Sequence, residues 1–389
     1  MTSISRREFL AAGGAALSGL KAFGLEQPTS VSENDDKGFF RIGKRGGHRF
    51  FIDPADRPFF SIGINHIDSA TLRCRENIGI WRERYGNSMH RWLAERVRPD
   101  LLSWGFNTVG WVQEVVTRGP TNHRHSRNFT FEEYQWLDMP YCHMLPFADF
   151  HQWEAETRHP DFFSKDFEDW CDYVARAHCA RFADDRKLIG YFYIDCPTWV
   201  HTRQPSEWKG PLFDPDDLKT DSGRRRLTEL AGRYYKVTHD AIRRYDTNHL
   251  ILGDRYEAAA PVPVEVVKAA APYIDVISFQ HFAQPEKIVE NLAFWRELFN
   301  LPTLIADCCH ATKSPDGYAH HNVTRYGTTL ELLRKEPSCI GYHLCGAYIA
   351  NRVRKRGLRN EQDQADTDVI RGIAQANSEM KQWVRRQTN

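Results

Sequence analysis

A chain of 389 residues with a formal charge of +1 is long enough for a large folded domain and carries no global bias toward nucleic acid. Its nine cysteines are scattered and contain no Cys-x-x-Cys, which argues against a disulfide framework. No helix-turn-helix, zinc-finger or RNA-binding pattern is present.

The chain opens with Ser5-Arg6-Arg7-Glu8-Phe9-Leu10 and a short Ala/Gly-rich apolar run to Leu20. This is the layout of a twin-arginine export signal, and the run is too short to span a bilayer. Residues 1–30 are therefore expected to be signal and linker, with the mature protein periplasmic or secreted. No later apolar run is long enough for a membrane span.

A hairpin is expected next, with Phe39–Ile42 and Arg49–Ile52 flanking a Gly46-Gly47 turn, packed outside the main body. From there strands and helices alternate. The strands expected are Phe59–Asn65, Thr108–Val112, His143–Phe150, Leu188–Asp195, Leu250–Arg255, Asp275–Phe282, Thr303–Asp307 and Cys339–Cys345. Amphipathic helices are expected at Met89–Trp104, Lys165–Ala183, Thr220–Tyr245, Pro285–Leu298 and Asn322–Lys335. Strand-helix alternation implies parallel strands, and eight such units over residues 38–389 predict a single α/β domain, a (β/α)8 TIM barrel. An open doubly wound sheet is the alternative, but Gly63-Ile-Asn-His66 does not resemble its phosphate-binding turn. Gly119–Leu137 and Thr202–Asp217 read as long loops on the active side.

Chemistry gathers at the C-terminal ends of these strands. They end in Asn65-His66, Trp111 with Gln113-Glu114, Asp149 with His151, Asp195-Cys196 with Trp199, Asp254-Arg255-Tyr256-Glu257, Gln280-His281, Asp307-Cys308-Cys309-His310, and His343 with Cys345 and Tyr348. One polar strand end is usually a cap or a surface residue, but eight together describe a built face. Trp111, Trp199, Tyr256 and Tyr348 add flat apolar faces, and aromatics mixed with carboxylates and amides suit a sugar.

Several segments resemble the clan A glycoside hydrolases, especially the β-agarase-like family 50 and the neighbouring family 42 β-galactosidases. The segments are Phe50–Asn65, Trp104–Gly110, Gly190-Tyr-Phe192, His249–Gly253 with Arg255, and Asp275–Phe279. The resemblance implies a sugar-cleaving barrel with a carboxyl pair at the ends of strands four and seven. Here the usual Asn-Glu of strand four reads Asp195-Cys196, and the usual Glu of strand seven is Asp307. A thiol near pKa 8.5 is a poor proton donor. Retention needs carboxyls about 5–5.5 Å apart and inversion about 6.5–9.5 Å.

Three readings follow. In the first, Asp195 is the acid/base and Asp307 the nucleophile or water-activating base. Asn65, His66, Trp111, Trp199, Arg255, Gln280, His281, His310 and His343 then hold the carbohydrate, and neither cofactor nor metal is required. In the second, the barrel binds carbohydrate without cleaving it. In the third, Asp195, Cys196, Asp307, Cys308 and His310 form a metal or thiol site. Adjacent strand residues such as Asp307 and Cys308 point to opposite sides, which weakens the third, and buried packing is the plain account of Cys308, Cys309 and Cys345. The basic run Arg352–Arg359 reads as a solvated loop or as a binder of sulfate or carboxylate on an anionic glycan.

Overall fold

The computed structural model describes residues 38–118, 123–150, 159–200, 215–258, 262–313, 317–346 and 348–387. The expected export signal lies outside the described residues, as does most of the expected loop Thr202–Asp217.

Eight parallel strands pair in sequence order, and the last returns to the first. They are β1 Ser61–Ile64, β2 Thr108–Val109, β3 Tyr141–Met144, β4 Leu188–Asp195, β5 Leu250–Glu257, β6 Ile277–Gln280, β7 Thr303–Cys308 and β8 Cys339–Leu344. The predicted closed barrel is thus observed, and closure rules out the open sheet. Two strands end earlier than their apolar runs suggest. The third stops before Pro146, which has no N–H for a ladder. The second stops at Val109 because the N–H of Trp111 bonds to the Asn65 side chain instead, at 2.8 Å.

The helices Lys165–Phe182, Asp221–Tyr245, Pro285–Phe299 and Val323–Leu333 fall where their periodicity predicts. The run beginning at Met89 is helical but widens to a π-turn over Trp92–Val97. That turn leads into Pro99, which cannot donate to the ladder. Within the expected loop Gly119–Leu137, Phe131–Leu137 is a helix, started by a reciprocal capping box between Thr130 and Glu133. The Thr-x-x-Glu spacing was its sequence signal. Among the described residues, no helix is long and apolar enough to cross a membrane.

The N-terminal hairpin pairs Arg41–Arg45 with His48–Ile52, and Pro58–Phe59 adds a third antiparallel strand. It does more than lie outside the barrel. Phe40 and Phe51 share one buried cluster with Ile189, Leu252, Val276, Leu304 and Ile340, the inward side chains at the base of the barrel. A barrel interior open at its base would leave these residues wet. Full burial of each such side chain contributes about 1.5–3 kcal/mol.

Candidate active site

The strand ends converge on Arg255, which is fully buried. Simple alternation along β5 would place Leu252 and Asp254 on one face and Arg255 on the other. Gly253 breaks the alternation: its φ is +66°, and the register with β4 shifts on either side of it. Leu252 stays in the interior cluster, and Asp254 turns outward to the hydroxyls of Tyr234 and Tyr235. Arg255 then returns to the interior, where its guanidinium lies 4.4 Å from the centre of the Trp111 ring.

Arg255 joins the two predicted carboxylates. Its Nε is 3.2 Å from Asp195 Oδ1, and its Nη2 is 3.1 Å from Asp307 Oδ2. These are ion-pair distances without hydrogen-bond direction, and the three guanidinium nitrogens retain unspent donors. Gln280 Nε2 donates to Asp195 Oδ1, tying β6 to β4. Burial alone would raise the Asp307 pKa, but Arg255, His66 and Arg354 hold it well below the usual carboxylate range.

Two glycines make room for the next layer. A Cβ at Gly63 would overlap the His343 ring, and one at Gly110 would overlap Asn65 Oδ1. Asn65 Nδ2 donates to Asp307 Oδ1 at 2.6 Å and to the Ala306 carbonyl at 2.8 Å. His343 Nε2 lies 2.8 Å from Ser61 Oγ, and burial and Arg255 push its pKa down to about 3. It is therefore a neutral imidazole beside the carboxylate cluster.

His66 has φ +59°, an uncommon backbone for a side chain that bears a Cβ. Its Nε2 lies 3.8 Å from Asp307 Oδ2, and its Nδ1 2.5 Å from the Gln113 carbonyl oxygen. Burial and Arg354 lower its pKa, but Glu114, Asp307 and Cys345 outweigh them and hold it at about 9. His66, Asp307 and Cys345 each offer one ligand atom within 4.8 Å of the others, among the described residues the one such group of three or more. Arg354 Nη1 and Arg356 Nη2 both lie 3.3 Å from the Cys345 sulfur, so a metal cation there would face two guanidinium groups. Of the metal or thiol set expected from the sequence, Asp307 belongs to this group and Asp195, Cys196, Cys308 and His310 do not.

Sequence reasoning missed the inward turn of the basic run. Asn351 Oδ1 accepts the backbone N–H groups of Val353 and Arg354, at 2.9 and 2.7 Å, and its carbonyl accepts that of Lys355. This tight turn leaves Lys355 exposed and sends Arg354 inward to Glu114, with Nε 2.5 Å from Oε1. Glu257 was named at its strand end but given no role. It stands two residues beyond Arg255, hence on the same strand face, and its Oε2 lies 4.0 Å from Cys196 Sγ. Alternation counted from Arg255 is the signal that finds it.

Trp199, Tyr256, Tyr348 and His310 face elsewhere. Trp199 packs against Phe150, His159 and Tyr234. Tyr256 bonds Tyr235, and Tyr348 bonds Asp100 while stacking on Trp104. His310 Nε2 lies 2.9 Å from Thr329 Oγ1 on the following helix, with Cys308 Sγ 4.0 Å away. His281 is buried with neither ring nitrogen bonded, and burial beside His310 lowers its pKa to about 4. Cys196 is buried at φ +47°, and burial, Asp195 and Glu257 push its thiol well above the usual range. A cleft of about 920 Å³ runs beside the cluster, lined by Trp111, Gln113, Met144, Asp149 and Tyr193. It is not lined by Asp195 or Asp307; Trp111, which also covers Arg255, connects it to them.

No protein-family model matches this sequence, and no curated protein sequence matches it. Solved structures share its fold. A crystal structure of an agarase superposes with a TM-score of 0.67 at 18% identity, over 98% of this chain and 70% of that one. An exo-β-agarase gives 0.67 at 17%, over 98% and 71%. A Bacteroides uniformis β-glucuronidase gives 0.52 at 11%, over 86% of this chain and 37% of its own. At these identities the likeness is one of fold.

Proposed function

We propose that this protein is an exported glycoside hydrolase that cleaves a poly- or oligosaccharide with Asp195 and Asp307. The observation that carries the reading is the pair itself: two carboxylates from β4 and β7, drawn to one buried guanidinium, in a barrel of the agarase fold. Asp307 is the carboxylate that attacks the anomeric carbon or draws a proton from water. Asp195 delivers a proton to the departing glycosidic oxygen, which leaves with the bonding electrons. Asn65 and Arg255 orient Asp307, Gln280 orients Asp195, and Trp111, His66, His281 and His343 shape the sugar site. Trp199 and His310 support this wall from behind.

The test is hydrolysis of neutral and charged galactans and aryl glycosides by the whole chain, with the product anomer followed by NMR. Activity that is lost in Asp307→Asn, with the fold retained, supports the reading. Sugar binding without turnover on any of them favours the second reading, a carbohydrate-binding barrel. One observation favours that alternative: Asp195 accepts from Gln280 and Asp307 from Asn65, so both carboxylates already have partners within the chain. Export is tested separately. Replacing Arg6 and Arg7 by Lys is expected to stop translocation, and unchanged periplasmic yield would count against a twin-arginine signal.

A further inference from the structure

Three arginines reach the mouth of the barrel, and their partners differ. Arg255 lies against Asp195 and Asp307, and Arg354 against Glu114. Arg356 has no carboxylate at ion-pair distance among the described residues. Its Nη2 rests on the neutral sulfur of Cys345 at 3.3 Å, and its Nε is buried without a hydrogen-bond partner. A partly buried guanidinium with an unbonded N–H commonly takes a counter-ion.

The loop is built to hold it there. The Asn351 turn sets Arg354 and Arg356 on one side and Lys355, at φ +52°, on the other. The Lys355 carbonyl accepts the N–H of Ala319 at 2.8 Å, and Ile349 bridges to Arg359. Gly357 fits closely against Ala350 and Arg359, and a Cβ at Gly346 would stand 2.9 Å from Arg356 Nε. The guanidinium is thus fixed at the end of β8, beside the strand that carries Asp307, with donors left over.

We infer that Arg356 is the anchor of an anion subsite, and that the sugar bound here carries a carboxylate or a sulfate ester. A planar fork with unspent N–H donors matches either group, and both present paired oxygens. This inference rests on the carbohydrate reading above and names its substrate class. Because the guanidinium is partly buried, the preference should survive moderate salt better than one made by exposed lysines.

The experiment is calorimetric binding to the whole chain, comparing methyl β-glucuronide with methyl β-glucoside and galactose 6-sulfate with galactose. The charged sugar is expected to bind about tenfold tighter or more, the scale of one charge-assisted hydrogen bond. Arg356→Gln should erase that difference and leave neutral-sugar affinity in place. Lys355→Gln, on the exposed side of the same loop, should leave both unchanged. The glucuronide and sulfate arms decide which anion is taken. Equal affinity for charged and neutral sugars overturns the inference while sparing the carbohydrate reading. A preference that persists in Arg356→Gln also overturns it, and binding of no sugar overturns both. If inorganic sulfate displaces the charged sugar and is bound as tightly, the site is one for an adventitious ion only. Should Arg356→Gln fail to fold, Arg356→Lys keeps the charge without the fork, and the charged-sugar preference should fall but not vanish.

Discussion

Asn65 Nδ2 donates to Asp307 Oδ1 at 2.6 Å, so the end of β1 positions the carboxylate of β7. The same side chain accepts the N–H of Trp111, which covers the guanidinium that holds Asp307 from its other oxygen. One amide thus links three strand ends around the proposed nucleophile.

Asp195 and Cys196 separate the carboxylate mechanism from a thiol one. Asp195→Asn keeps shape and removes the proton carrier, so turnover should fall by about 10²–10⁴. Cys196→Ser should cost little, because that thiol is buried and pushed toward its protonated form. Steady-state kinetics on both variants check this, and the reverse pattern would transfer the chemistry to sulfur.

Arg255→Met should unfold the site even without substrate. Removing the cation leaves Asp195 and Asp307 facing each other without their shared counter-charge. Breaking a buried ion pair typically costs about 3–5 kcal/mol. Chemical denaturation measures it, and a loss below about 1 kcal/mol would mean that the carboxylates are paired in another way.

His66 should make stability fall on the alkaline side. Its folded pKa, about 9, is above the ordinary 6.5. Its contribution is therefore fully present below 6.5 and lost as pH rises through 9. The buried shift corresponds to a stability change on the order of 3 kcal/mol. Melting curves from pH 6 to 10 should show the decline, and His66→Gln should flatten it.

Gly63→Ala and Gly110→Ala should disturb the site through packing alone. The first forces His343 aside and the second forces Asn65. Overpacking of this kind costs about 1–3 kcal/mol. If Gly110→Ala binds and folds like the parent chain, Asn65 is not as tightly held as its contacts indicate.

The barrel was legible in the sequence because apolar runs of strand length, separated by amphipathic helices, leave few ways to bury both. Six of the eight strand ends were legible for the same reason: a run that stops abruptly in polar residues stops at the edge of the core. Where each of those side chains points was not legible. Gly253 and the register shifts of β5 and β7 reset the alternation, and nothing local announces which way Arg255, Tyr256 or Asp307 will turn. The run Arg352–Arg359 shows the limit most clearly. Its charge was visible in the sequence, but Glu114 and Asp100 come from distant parts of the chain, and only their convergence draws Arg354 and Arg359 inward. Local sequence determined which segments pack, because burial depends on periodicity. Tertiary structure decided which charges meet, because pairing depends on contacts that sequence spacing does not encode.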